Sequence, residues 1–467
     1  MRYIEPVQTL IKNISPMSGN RFLFFISLIV LLIFISPEQA EGQKTWSLEQ
    51  CIEYALDNNI MIKQQELNTQ VNENMLMQSR LSRLPTVNAN TQQSLSYGRT
   101  LDFLTNTYID RNTYSFSYNA SSQLTLFNGF QITNSIRQDN LNLMASLADL
   151  EKLKNDISLN IASAYLQILF SMELLNIAES QLDITSQQVD RTRRLVEAGS
   201  LPQGNLLEIQ AQEAADNLRV VNASNQLTLS YLSLTQLLEL QETEDFAIVT
   251  PDFEDITVLT PRYEVESVYE SALQIQPQIE SSEYQVAASE TGLDIAKGRR
   301  SPRLFISGSY GSGYQELISD FEGYEAPAFR NQIRNNQSTN FTMGLAIPIF
   351  NAGQVNTAIA NARIGVLNAE YNMQRTKNQL FQEIQQAYAD VVAAHENFRA
   401  TEVALESIEE SFRHTEQRFE VGMVTTVEFN QSLNQLTTTR SELLRAKYEY
   451  IFMSSVLDFY LGEVIRL

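Results

Sequence analysis

The chain has 467 residues, with 33 Lys+Arg against 55 Asp+Glu, a formal net charge of -22 and a sequence pI of about 4.6. That balance argues against nucleic-acid binding, which needs a basic surface to neutralise phosphates. One cysteine and two histidines leave most metalloenzyme and triad chemistries short of parts.

Apolar residues at 43 % and a mean hydropathy of -0.21 exclude both a disordered chain and a bundle of membrane helices. Gly (17) and Pro (11) are scarce. Tight turns depend on them, so few turns and long elements are expected.

The apolar run Phe22–Ile35 is shorter than the ~18–20 residues of a membrane-spanning helix. Arg21 precedes it and small and polar residues follow to Gln43. This order predicts a secretory signal peptide, with residues 1–43 as N-terminal extension and signal, and cleavage between Ala40 and Lys44. A short N-terminal anchor is the alternative.

The remainder repeats itself. At an offset of 223, Leu126-Phe127-Asn128 meets Ile349-Phe350-Asn351, Ala164-Tyr165 meets Ala387-Tyr388, and Gly199 meets Gly422. Upstream the offset is 217, where Arg83 and Pro85 meet Arg300 and Pro302. A fixed offset over so long a stretch signals duplication. The predicted halves are 44–240 and 264–467, joined by an acidic linker at 241–263.

Each half reads alike. A helix (Leu48–Leu81; Val265–Gly298) stops at a proline. A β-hairpin follows (86–127; 303–350), then a very long helix (Gln131–Val196; Gln354–Phe419). A glycine turn leads into a third helix (Leu206–Leu240; Val427–Leu461). Between Leu143 and Val196, positions spaced 4 and 3 apart are apolar except Lys154, Ser171, Thr185 and Thr192. A sustained heptad seam means coiled-coil packing.

The hairpin strands alternate. Tyr114, Phe116, Tyr118 and Leu124 oppose Ser115, Ser117, Asn119 and Gln123; Phe341, Met343 and Leu345 oppose Asn340, Thr342 and Gly344. An apolar face opposite a small, polar one fits a membrane β-barrel, with Tyr114, Phe116, Tyr118, Phe341, Met343 and Leu345 toward lipid. A soluble half-buried sheet is the alternative. Four strands cannot close a barrel with a lumen, and open edges are not tolerated in lipid. Three chains would supply twelve strands.

The duplicated plan, the LFNGF and IFNAGQ junctions (Leu126–Phe130, Ile349–Gln354) and the helix turns VEAGS and FEVGM resemble the TolC-type outer-membrane efflux family. The resemblance runs from about Trp46 to Gly462. It implies a mainly α fold with β: a trimeric α-barrel of long antiparallel helices continued by a 12-stranded β-barrel in the outer membrane. It implies a homotrimeric exit duct, with no catalysis and no cofactor. The helix-turn tips would dock a periplasmic adaptor, and the adaptor would join an inner-membrane RND or ABC transporter. A structural coiled-coil protein without channel activity is the alternative.

The docking tips are expected at Gly199, Ser200 and Leu201, and at Gly422, Met423, Val424 and Thr425, with Leu201, Met423 and Val424 as exposed apolar contacts. The family's ring of gate aspartates falls on Glu428, which keeps the charge, and on Gln431, which does not. A helix-capping glutamate is the plain reading of Glu428. The family's ionic tie falls on Asn205, Val424 and Phe419, so that tie is absent, and closure is expected from apolar packing of Phe419 and Val424.

Cys51 is read as packed, His395 and His414 as no metal site, Met61, Met75 and Met77 as helix-core residues, and Trp46 as a packing anchor.

Overall fold

The computed structural model describes residues 45–102, 106–110, 112–240, 246–250, 264–318 and 327–463. The signal-peptide region and most of the acidic linker lie outside the described residues.

The first helix of each half is not continuous. It divides into α1 (Leu48–Asn58) and α2 (Ile60–Leu81) in the first half. The second half has α5 (Val265–Ile275) and α6 (Pro277–Gly298). The breaking residues, Asn59 and Gln276, are extended, with ψ of 130° and 124°. Gln276 precedes a proline, which disfavours helical geometry there. Asn59 instead caps α2: its Oδ1 accepts from the Met61 amide at 2.9 Å, and its Nδ2 donates to the Leu237 carbonyl at 3.2 Å.

The long helices α3 (Gln131–Glu197) and α8 (Gln354–Glu420) have 67 residues each, or roughly 100 Å at ~1.5 Å per residue. The returning helices α4 (Gln203–Leu237) and α9 (Thr426–Tyr460) have 35 each. Both pairs are separated by the same 223-residue shift, so the repeat is carried at the level of whole elements. Each long helix packs against its returning partner in the half distal to the strands, α3 on α4 and α8 on α9. In the strand-proximal half the helices lie side by side as α2, α3, α6 and α8.

The strands continue these helices in the same order. β2 (Thr86–Ser96), β5 (Thr113–Phe127), β7 (Arg303–Leu317) and β8 (Ser338–Ala346) form one antiparallel sheet, ordered β2-β5-β7-β8. β8 stops before Ile347-Pro348, because proline cannot donate to the ladder. The register places Tyr118 beside Ser312, Phe116 beside Tyr314, and Ile306 beside Met343. One face therefore carries Leu95, Tyr114, Phe116, Tyr118, Leu124, Ile306, Tyr310, Phe341, Met343 and Leu345. Asn90, Ser117, Asn119, Ser309 and Asn340 stand on the other. The rings of Tyr114 and Tyr314 meet edge-on at 5.9 Å, and Tyr118 and Tyr310 lie 6.3 Å apart.

The segments between the strands of each hairpin hold structure of their own. Arg99–Asp102 (β3) pairs with Thr107–Asp110 (β4) as a small separate hairpin. A short helix, α7 (Phe329–Asn335), precedes β8.

A clasp fastens the linker to the first half near mid-height. Thr45–Trp46 (β1) runs parallel to Ala247–Ile248 (β6). The buried Tyr165 hydroxyl donates to the carbonyls of Val249 at 2.6 Å and Trp46 at 3.2 Å. Trp46 meets Tyr54 edge-on at 5.1 Å. Cys51 is fully buried in the adjoining core; burial, then the charge of Glu49, pushes its thiol up to about 12.

The three methionines are not core residues in this chain. Met61, Met75 and Met77 are 58 %, 51 % and 59 % exposed on α2, because among the described residues α2 is the last helix on its side and its outer face is uncovered. The opposite edge helix, α8, leaves Ile364, Leu367 and Tyr371 uncovered in the same way.

Candidate gate and docking tips

The two glycine turns sit at the end of the helices farthest from the sheet. Gly199 and Gly422 have φ of 74° and 73°, a left-handed conformation that costs other residues about 1–2 kcal/mol. The turns share one hydrogen-bond pattern. The Gly199 amide donates to Val196 O at 2.9 Å and Ser200 N–H to Leu195 O at 2.8 Å. The Gly422 amide donates to Phe419 O at 3.1 Å and Met423 N–H to Arg418 O at 2.8 Å. The paired 5→2 and 6→1 bonds stop a helix by satisfying its last carbonyls.

The turns differ in what they present. Met423 is 73 % exposed, and Val421 and Val427 beside it are also exposed. Leu201 and Val424, expected at the surface, are half-buried; each lies between the helix ends that its turn brings together. Ser200 is exposed and Pro202 starts α4. The second tip therefore carries the larger apolar surface, and Val421 and Val427 were not singled out in the sequence.

Thr425 and Glu428 form a capping box at the start of α9. Thr425 Oγ1 accepts from the Glu428 amide, and Glu428 Oε2 accepts from the Thr425 amide, both at 3.2 Å. Glu428 remains exposed, as does Gln431. Phe419 stacks on the fully buried Phe429 of its own hairpin, with centroids 4.5 Å apart and planes 20° apart. Its ring thus holds α8 to α9 within one chain.

The two hairpins are tied by polar groups. Asn205 Nδ2 donates to Thr426 Oγ1 at 3.1 Å, joining α4 to α9 at the tips. Arg191 and Glu420 form an ion pair at 3.7 Å between α3 and α8. One layer farther in, fully buried Asp216 gathers three donors. Arg219 and Gln212 reach its Oδ1 at 2.7 and 3.0 Å, and Thr185 reaches its Oδ2 at 2.7 Å. Arg219 also donates to Asn434 of α9 at 2.8 Å, and the Thr437 hydroxyl donates to Gln181. Sequence reasoning missed this network. Its signal was present: Thr185 is one of the polar interruptions of the heptad seam. Ser171, another interruption, meets Ser230 at 3.0 Å.

The histidines lie apart from any such cluster. His395 is buried beside Tyr450, and exposed His414 sits 3.1 Å from Glu410. Among the described residues, no group of three or more His, Cys, Asp or Glu is placed to hold a metal ion.

The model of the outer membrane efflux protein family matches residues 51–239 and 268–463. The chain belongs to this family. The outer membrane efflux proteins are outer-membrane proteins with a periplasmic helical extension, which places the glycine tips in the periplasm and the sheet in the membrane. Relatives at low identity include the outer membrane protein TolC of Vibrio cholerae, 21 % identical over 63 % of this chain. TolC of Escherichia coli is 20 % identical over 63 % of it. The matched stretches span 64 % and 58 % of those two proteins. The crystal structure of VceC from Vibrio cholerae superposes with a TM-score of 0.73 at 17 % identity, covering 90 % of this chain and 97 % of that one. The fold is thus that of the TolC-like outer membrane efflux channels.

Proposed function

We propose that this outer membrane efflux protein is a homotrimeric exit duct. It conducts substrates passively across the periplasm and outer membrane, and its tips engage a periplasmic adaptor joined to an inner-membrane RND or ABC transporter. The observation that carries the reading is the coincidence of edges. The sheet ends on β2 and β8, and the helical layer ends on α2 and α8, the helices joined directly to those same strands. Unpaired strand edges cannot face hydrocarbon. The uncovered apolar residues of α2 and α8 need partners of the same length. Three copies, each placing β8 against the next β2, satisfy both demands and give twelve strands.

In that assembly the apolar face of the sheet, including Tyr114, Phe116, Tyr118, Phe341, Met343 and Leu345, contacts lipid, and the polar face lines the lumen. Exposed Met423, with Val421 and Val427, and the turns Gly199–Leu201 and Gly422–Thr425 are the adaptor contacts. Glu428 and Gln431 line the periplasmic constriction, where three converging carboxylates would favour cations. Phe419 and Val424 stiffen the tip, and Asn205 ties it.

The test is reconstitution of the full chain from outer-membrane fractions into planar bilayers. A detergent-stable trimer with discrete conductance is expected. A monomer without conductance would support the structural coiled-coil alternative instead.

A further inference from the structure

The short helix α7 stands outside the duct plan and its seat is specific. β8 has 9 residues against 15 in β7, and their pairing ends at Gly311 with Ser338. Beyond that point, among the described residues, no strand lies beside the outer edge of β7, and α7 covers it. Gln332 brackets Gln315, accepting from its amide at 3.1 Å and donating to its carbonyl at 3.0 Å. Asn336 donates to Gly313 O at 2.8 Å, and the Ser312 hydroxyl donates to Ile333 O at 2.6 Å. Phe329 lies 5.7 Å from Phe116 and 5.1 Å from Tyr314. Those rings belong to the apolar face of the sheet, so α7 is fastened on the face the duct turns toward lipid.

Its height follows from strand geometry. Ser312–Gln315 lie nine to twelve residues beyond Arg303, where β7 leaves the helices. At ~3.3 Å per residue that is about 30–40 Å along the strand. A tilt of ~35–45° leaves roughly 20–30 Å of height, against an apolar band ~25 Å tall. With Arg303 at the inner edge of that band, the helix sits at the outer headgroup level.

Its charge is opposite to the chain's. The sequence FRNQIRN carries Arg330 and Arg334 and no acid, in a protein of net charge -22. The two arginines are four apart, so they share one side of the helix. Both are exposed, and neither makes an ion pair among the described residues. Guanidinium forks suit phosphate bidentately, and a helix with an aromatic anchor and basic heads is built for a membrane interface.

We propose that α7 is a headgroup-level anchor whose Arg330 and Arg334 bind the phosphates of outer-leaflet glycolipid. The inference rests on the sheet being the wall of a membrane barrel. Its rival is neutralisation of both arginines by Asp320, Glu322 and Glu325 in the segment that leads to the helix.

Two measurements on the full-length protein test it. Lipopolysaccharide retained per protein after detergent extraction and washing should fall several-fold in Arg330→Gln/Arg334→Gln. A fluorophore on Asn331→Cys reports depth; Cys51 is buried, so labelling is selective. In vesicles containing lipopolysaccharide, headgroup spin-labelled lipid should quench it and aqueous iodide should not. Equal lipopolysaccharide retention in the double variant, or quenching by iodide alone, overturns the anchor. If the double variant does not assemble, the depth measurement decides. Conductance separates the two levels: a conducting protein that fails these tests loses only the anchor, and a wild-type protein that neither inserts nor conducts removes the channel reading.

Discussion

Asp216 is the residue on which the polar tie between the hairpins turns. It is fully buried and accepts from Arg219, Gln212 and Thr185 at 2.7, 3.0 and 2.7 Å. Hydrogen bonds to a charged group contribute about 1.5–3 kcal/mol each. Asp216→Ala does not cost their sum. Thr185 also reaches the Gln181 carbonyl at 3.1 Å, and the Arg219 side chain, 46 % exposed, can return to water. What is lost is about one to two charge-assisted bonds, or ~2–4 kcal/mol per protomer. Asp216→Asn should cost only ~1 kcal/mol. Its amide oxygen still serves Arg219 and Gln212, and its NH2 can donate to Thr185, whose own proton then goes to Gln181. Amide exchange in the middle of α4 reads this difference as local opening. At 1.4 kcal/mol per decade, Asp216→Ala should speed exchange by roughly 30- to 1,000-fold and Asp216→Asn by less than about 10-fold. Closed-state leakage should rise in the same order, because Arg219 would release Asn434. Equal effects of the two substitutions, or none from either, would refute the geometry assigned to the network.

Three further outcomes are expected. Gly422→Ala meets open space around its new Cβ, so its cost is the left-handed backbone alone, about 1–2 kcal/mol, seen as faster proteolysis at the second tip. Glu428→Gln keeps an acceptor for the Thr425 amide while removing the charge, so cation selectivity should fall in single-channel recordings with tip stability unchanged. Unaltered selectivity would leave Glu428 as a helix cap only. Cys51 in the folded protein should resist maleimide at pH 8 and react once unfolded. Its thiol is raised from 9.0 to about 12, so the protonated form is favoured by folding. The stability this contributes is present below pH 9 and declines as the pH rises toward 12.

The long elements are legible in the sequence because their periodicity is sustained. The heptad seam and the fixed offset give both 67-residue helices to within a residue at each end. The breaks at Asn59 and Gln276 are not, since each flanking segment keeps its helical pattern and only the backbone of one residue departs. Pro277 was the available sign in one copy; in the other, the deciding contact is Asn59 with Leu237, 178 positions away. The Asp216 network was hidden for a related reason. A threonine in an apolar seam looks like noise until the facing helix shows a carboxylate beside it. Strand alternation reads directly onto the register of the sheet. The short α7 follows no period, and tertiary bonds from Gln332 and Asn336 hold it in place.

In the proposed trimer the free edges of one chain are closed by its copies. Hydrogen exchange of the outward amides of Thr86–Ser96 and Ser338–Ala346, measured in the membrane-inserted protein, tests it most directly. Closure predicts protection on both edge strands comparable with β5 and β7. Rapid exchange along either edge, with β5 and β7 protected, would contradict it.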